Sequence, residues 1–263
     1  MRLPRGVELT AAGKAFAQHA ELVLDTLQQG LAHARRIARG ELGTISIGLT
    51  SSAGFHPVTT DAIRAFRAAQ PDVDIELAEL NAAEIIERLS ADQLQAAFLR
   101  KPVDTPPDVA FEQLLNEPMV VVLPVDHPLL AGMGDTPPAL PLRALEHEDF
   151  ILVRRPGAPG MYADILAACR HAGFVPRIAR EVPRMLTGIH MVAAGLGVTL
   201  VPASMQRYQH VSTVFCTLND AANLTAPLHL AYPTVMRNPA AQCFVEFVAA
   251  FHARSGVDPA GGG

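Results

Sequence analysis

Apolar residues in the first forty positions recur at helical spacing. Phe16, Ala20, Val23, Leu27, Leu31, Ala34 and Ala38 follow one another at intervals of three or four, which sets them along one stripe of an α-helix in a heptad-like pattern. Thr10 suits the N-cap and Gly40 the stop. A short hydroxyl side chain accepts from the first free N–H groups, and glycine tolerates the left-handed turn that ends a helix. A helix of about 29 residues is roughly 44 Å long at 1.5 Å per residue, longer than a compact domain needs. The pattern therefore predicts a helix that spans between domains or pairs with a second copy through Phe16, Val23, Leu27 and Leu31. The other explanation is one amphipathic helix lying on its own domain.

Beyond Gly43 the period changes. Residues 44–50, 73–79 and 95–100 read as strands, interleaved with helices over 57–69 and 82–89. A similar cycle returns later, with strands over 150–154, 177–182 and 197–201 and helices over 160–172, 184–194 and 239–253. Strands alternating with helices predict an α/β fold with open parallel sheets. The two cycles flank a Pro- and Val-rich stretch, 118–143, and imply two similar subdomains joined by extended crossovers near 120–125 and 222–227. Ligands of open α/β sheets bind beyond the carboxyl ends of the strands, so the cleft between the subdomains is the expected site.

Composition narrows the class. The chain of 263 residues is 49% hydrophobic and 18% charged, which argues for a folded body. The apolar runs are shorter than the ~18 residues of a membrane span, and the N-terminus lacks the apolar core of a secretory signal. A cytoplasmic protein without a membrane partner is expected. Cys169, Cys216 and Cys243 form no CxxC pair, so buried thiols are expected rather than disulfides or zinc. The net charge is −5, yet residues 1–40 carry +3 and the remainder −8. A basic start on an acidic body is compatible with a segment that lies near DNA, although solvated helix faces are often as basic.

Catalytic signatures are missing: no GxSxG, HExxH, P-loop or complete GxGxxG is present. Gly195-Leu196-Gly197 precedes a predicted strand and reads as a helix C-cap and turn. Glu146-His147-Glu148-Asp149 is metal-like in composition, but adjacent residues cannot all face one ion, and a solvated loop is the better reading. Cys169 and His171, two apart on a helix, point to different faces. No enzyme, cofactor, catalytic group or metal site is expected.

Polar groups at strand ends remain. Ser51 and Ser52 lie between the first strand of the first cycle and its helix, where hydroxyls, free N–H groups and the positive helix end suit an anion such as a carboxylate; capping alone is the simpler role. Arg100 ends a strand, placed to orient a carboxylate or to form a structural ion pair. Pro159, Gly160 and Met161 open a helix of the second cycle and face the same cleft, and Arg184 and Thr187 are expected in the first turn of another. Arg154 and Arg155 fall near the mouth.

These residues fit a family pattern. Arg5-Gly-Val-Glu-Leu-Thr-Ala-Ala-Gly13 resembles the stretch of LysR-type transcriptional regulators that leads from the wing of the winged helix-turn-helix into the linker helix. Ser51-Ser52, Ala65-Phe66-Arg67 with Gln70-Pro71, Glu117-Pro118-Met119, 126–129 (DHPL), 192–198 (VAAGLGV) and 200–204 (LVPAS) are similar to further family motifs in the same order. The resemblance covers residues 5–253. It implies a periplasmic-binding-protein-like effector domain with an inducer held between its subdomains, and linker helices that pair in a homodimer or tetramer. By position it assigns 1–10 to a remnant of the wing, 11–40 to the linker, 44–123 with 227–253 to subdomain I, 124–226 to subdomain II and 254–263 to a flexible tail. It implies effector contacts at Ser51, Ser52, Pro159, Gly160 and Met161, and the 154–162 stretch is similar to relatives that sense aromatic compounds or their breakdown acids.

Three departures stand out. Asn81 and Ala82 replace a hydroxyl that some relatives use to hold ligand, and Gln95 replaces a common acid. Most of the family's DNA-reading module has no counterpart, so DNA contact is expected of a full-length protein only. The resemblance implies transcription regulation through a small aromatic or carboxylate effector. A free-standing solute-binding protein and a truncated partner that disables full-length relatives are the other readings.

Overall fold

The computed structural model describes residues 2–3, 6–100, 105–132, 139–154, 160–221 and 223–254. Strands β1 (Arg2–Leu3) and β2 (Gly6–Val7) pair antiparallel ahead of the long helix α1 (Ala11–Ala38). Thr10 caps α1 as expected, its hydroxyl accepting from the Gly13 N–H at 3.1 Å. At the other end Gly40 adopts φ +70°, and a Cβ there would stand 2.4 Å from the Pro239 carbonyl, so the stop needs glycine for its conformation and for its close approach. No residue of α1 is buried: Phe16 is 76% exposed, Val23 66%, Leu27 58% and Leu31 48%. The predicted stripe exists and is uncovered within this chain.

The body follows as β3 (Gly43–Leu49), the short helix α2 (Ser51–Gly54), α3 (Pro57–Ala69), β4 (Val73–Glu79), α4 (Ala82–Ser90), β5 (Ala96–Leu99) and β6 (Val109–Pro124). It continues through β7 (Ala139–Leu140), β8 (Asp149–Val153), α5 (Gly160–His171), β9 (Arg177–Val182), α6 (Met185–Ala193), β10 (Thr199–Pro202), β11 (Thr213–Leu218), β12 (Thr225–Pro233) and α7 (Pro239–Arg254).

The first half runs β4-β3-β5-β12-β6, with β4, β3 and β5 parallel and β12 antiparallel to both its neighbours. The second half repeats the plan. β9 and β8 are parallel, Val198 beside β10 bridges parallel to Phe150 of β8, β10 pairs antiparallel with β6, and β6 with β11. The sheets are therefore mixed rather than purely parallel. Of the residues read as crossovers, 120–124 belong to β6 and 225–227 to β12, two long strands that take part in the sheets themselves. Val109–Pro118 of β6 face β12, and Met119–Pro124 face β10 or β11, so one strand serves both halves.

Each half has its own core. Phe66 of α3, Phe98 of β5 and Phe244 of α7 meet edge-on around Ile45 and Ile47 of β3. In the second half Phe150, Leu152, Leu142 and the thiols of Cys169 and Cys216 pack together. β5 and β10 are buried at every position, as apolar strands covered on both faces should be. The Gly195-Leu196-Gly197 turn caps α6 as read from sequence: the Gly195 N–H donates to the Val192 carbonyl at 2.9 Å and the Leu196 N–H to Met191 at 3.1 Å. Gly197 (φ +137°) is required by contact, since a Cβ there would lie 2.2 Å from the Asp149 carbonyl.

Candidate functional site

The parallel strands of both halves end at a shared cleft. β3 delivers Thr50 and the first turn of α2, β4 leads into Asn81 and α4, β5 delivers Arg100, β8 delivers Val153, and β9 leads through Pro183 to Arg184. Together with Gly160, Met161 and Tyr162 of α5 they line a cavity of about 120 Å³. Leu80, Met119, Ile165, Met185 and Leu200 complete largely apolar walls.

Of the residues singled out from sequence, Ser51, Ser52, Arg100, Gly160, Met161 and Arg184 line this cavity. Pro159, Arg155 and the segment 255–263 lie outside the described residues. Thr187 is not part of the lining. Arg184 is the N-cap of α6 and not part of its first turn, and both it and the first helical residue, Met185, line the cavity. Thr187, two residues on, is turned about 200° around the helix. Thr50 was not anticipated: its hydroxyl is buried without a hydrogen-bond partner among the described residues. Such a group asks for a bound water or ligand. Asn81, at the departure from the family pattern, accepts from the Glu84 N–H at 2.9 Å in a capping box and also lines the cavity. Gln95 has a structural task instead, accepting from the Ser46 N–H at 2.8 Å.

Arg100 is 4% exposed and forms the ion pair that its position allowed. Its Nη1 lies 2.6 Å from Glu117 Oε1, and it donates to the carbonyls of Ala226 and Ser52 and to Ser204 Oγ at 3.1–3.2 Å. Ser204 in turn donates its hydroxyl to Glu117 at 2.9 Å, and His56 Nε2 stands 3.7 Å from the same carboxylate. Burial pushes the His56 imidazole down to about 4, with Arg100 and Arg207 in the same direction and Glu117 opposing them. Burial also lowers the Arg100 guanidinium, against the pull of Glu117. This knot joins Ser52 and His56 of the first half to Ser204 of the second where β6 passes between them. Sequence offered no sign that Glu117, His56 and Ser204 meet.

At the mouth, Glu79 closing β4 binds Arg184, and Ser51 Oγ donates to the same carboxylate. On the far side Glu181 accepts from Tyr162 OH at 2.8 Å and from Arg154 at 3.1 Å. The metal-like stretch 146–149 sends its acids apart: Glu146 to His147 and Arg143, Glu148 to His127, Asp149 to Arg177. Cys169 and Cys216 are pushed up to about 11 by burial, which makes them poor nucleophiles. Among the described residues no helix is long and apolar enough to cross a membrane.

Two α/β halves of like strand order, joined through β6 around a cleft and preceded by a long exposed helix, have the build of a two-part ligand-binding domain. Residues 38–253 match the family described as the LysR substrate binding domain, and the chain belongs to the LysR-type transcriptional regulators. It is 36% identical over 208 residues to YnfL of Escherichia coli K12, an uncharacterised HTH-type transcriptional regulator, covering 79% of this chain and 68% of the relative. The solved structure of CbnR, a LysR family transcriptional regulator, superposes with a TM-score of 0.76 at 25% identity, over 94% of this chain and 83% of CbnR. The BenM effector binding domain with its effector benzoate gives 0.70 at 26% identity, over 83% of this chain and 96% of that domain. The protein functions in transcription regulation, and regulators of this family bind effectors, oligomerise and bind DNA.

Proposed function

We propose that this chain senses a small aromatic or short aliphatic carboxylate in the cleft between subdomain I (44–123 with 227–253) and subdomain II (124–226). Thr50, Ser51 and Ser52 receive the polar end, Met161 and Tyr162 bound the apolar body, and Arg184 meets charge at the mouth. The buried, unpartnered Thr50 hydroxyl in an apolar-walled cavity is the observation that carries this reading. The cavity's size suits one ring or a short chain, and the likeness to a domain whose effector is benzoate supports the same chemistry.

The protein acts as a cytoplasmic sensor and not a catalyst. The uncovered stripe of α1 supports pairing of linker helices in a dimer. A thermal-shift screen of monocarboxylates tests the sensor. A compound at a hundred times its Kd adds about 2.7 kcal/mol, or roughly 5–11 °C for a domain of this size. Thr50→Val combined with Ser52→Ala should abolish the shift. An equal shift in wild type and variant would move the binding site elsewhere.

A further inference from the structure

We propose that Glu79 is a built-in competitor for the effector's acid group and thereby sets which ligands the cleft accepts; the proposal rests on reading the cleft as the effector site. Arg184 and Ser51 both line the cavity, whereas Glu79 is not part of that lining. Its carboxylate nevertheless takes the Arg184 guanidinium with both oxygens and accepts the Ser51 hydroxyl. The two donors that an incoming acid would use at the mouth are thus engaged by an internal acid.

A carboxylate offers only acceptors. An acidic ligand can take over the same donors and leave the guanidinium paired. A neutral ligand has no charge to give in exchange and must bind beneath the intact pair. Displacement is cheap because both partners are solvated: the Glu79 side chain is 39% exposed and that of Arg184 54%. The pair also crosses the cleft, from the end of β4 in the first half to the N-cap of α6 in the second. Exchange of one acid for another therefore unties a link between the halves, which a neutral ligand leaves in place.

Glu79→Gln keeps the shape and removes the competing charge. Binding of acetate and benzoate, and of ethanol and benzyl alcohol as their uncharged counterparts, is measured by titration calorimetry on both proteins. The variant is expected to bind the acids about fivefold tighter, the equivalent of about 1 kcal/mol for an exposed pair, with the alcohols unchanged. Acid binding detected in the variant alone supports the proposal in the same way. Unchanged or weaker acid binding overturns it, as does an equal gain for the alcohols, which would mean a loosened cleft. Alcohols that bind while the acids bind neither protein overturn it and leave the cleft as a ligand site. No binding of any probe to either protein removes the proposal and the carboxylate-sensor reading together.

Discussion

Glu117→Gln isolates the buried knot. The substitution preserves volume and leaves Arg100, 4% exposed, with neutral acceptors only. The lost contact is 2.6 Å long, worth roughly 6 kcal/mol of gross attraction at an effective dielectric of about 20. The carbonyls of Ala226 and Ser52 and the Ser204 hydroxyl still accept from the guanidinium and recover part of it. The Gln amide must also turn an N–H toward Arg100 or toward the Ser204 N–H. Breaking a buried pair from one side costs about 3–5 kcal/mol, and here the lower half of that range applies. The loss corresponds to roughly 6–16 °C in Tm. The chain contains no tryptophan, so urea and thermal unfolding are followed by far-UV circular dichroism. Arg100→Met with Glu117→Leu removes both charges and should cost less than the single variant, because no charge is stranded. A loss below about 1 kcal/mol in Glu117→Gln, or a double variant as unstable as the single one, would refute the reasoning.

Two further outcomes follow from the same structure. His56 titrates near 4 when folded, against 6.5 as a free group, so the unfolded chain binds the proton first. Stability then falls as pH drops from about 6.5 to about 4, by at most about 3 kcal/mol from this residue. His56→Asn, which keeps a cap for the Val58 N–H, should show a smaller difference in urea midpoint between about pH 7 and about pH 4 than wild type; an identical difference would clear His56. Leu27→Asp places a charge in the exposed stripe of α1, where Leu27 is 58% exposed, and should lower self-association in sedimentation equilibrium with little change in unfolding. A wild-type chain that is already monomeric at high concentration would contradict the pairing role.

Legibility in the sequence depended on how local the cause was. The strand 73–79 and the helix 57–69 were read with their observed bounds because Pro57 and the apolar spacing act within a few residues. β6 was missed as a strand because Glu112, Gln113, Asn116 and Glu117 interrupt its apolar run. Its partners come from as far away as Pro233, and nothing nearby announces them. The same division holds at the cleft. Ser51, Ser52, Gly160 and Met161 sit at strand-to-helix junctions, which a sequence marks. Met119 and Leu200 are ordinary apolar residues that become walls only when β6 and β10 pair. Thr187 sits in the first turn of α6 as its position implies, but about 200° around the helix from the lining Met185, and the sequence does not mark which face of that helix meets the cleft.

Two polar links between the halves, at Glu117 and at Glu79, differ in kind. Glu117 carries the inner link on β6, the strand that both sheets share, and its loss strands a buried charge. Glu79 carries the outer link between two solvated side chains, and water replaces it at little cost. Relative movement of the halves is therefore dear at the strand crossing and cheap at the mouth. Under the exchange proposed at Glu79, a ligand needs only modest binding energy to change the outer link, while the inner one, from Glu117 on β6 through Arg100 to the Ala226 carbonyl on β12, stays intact.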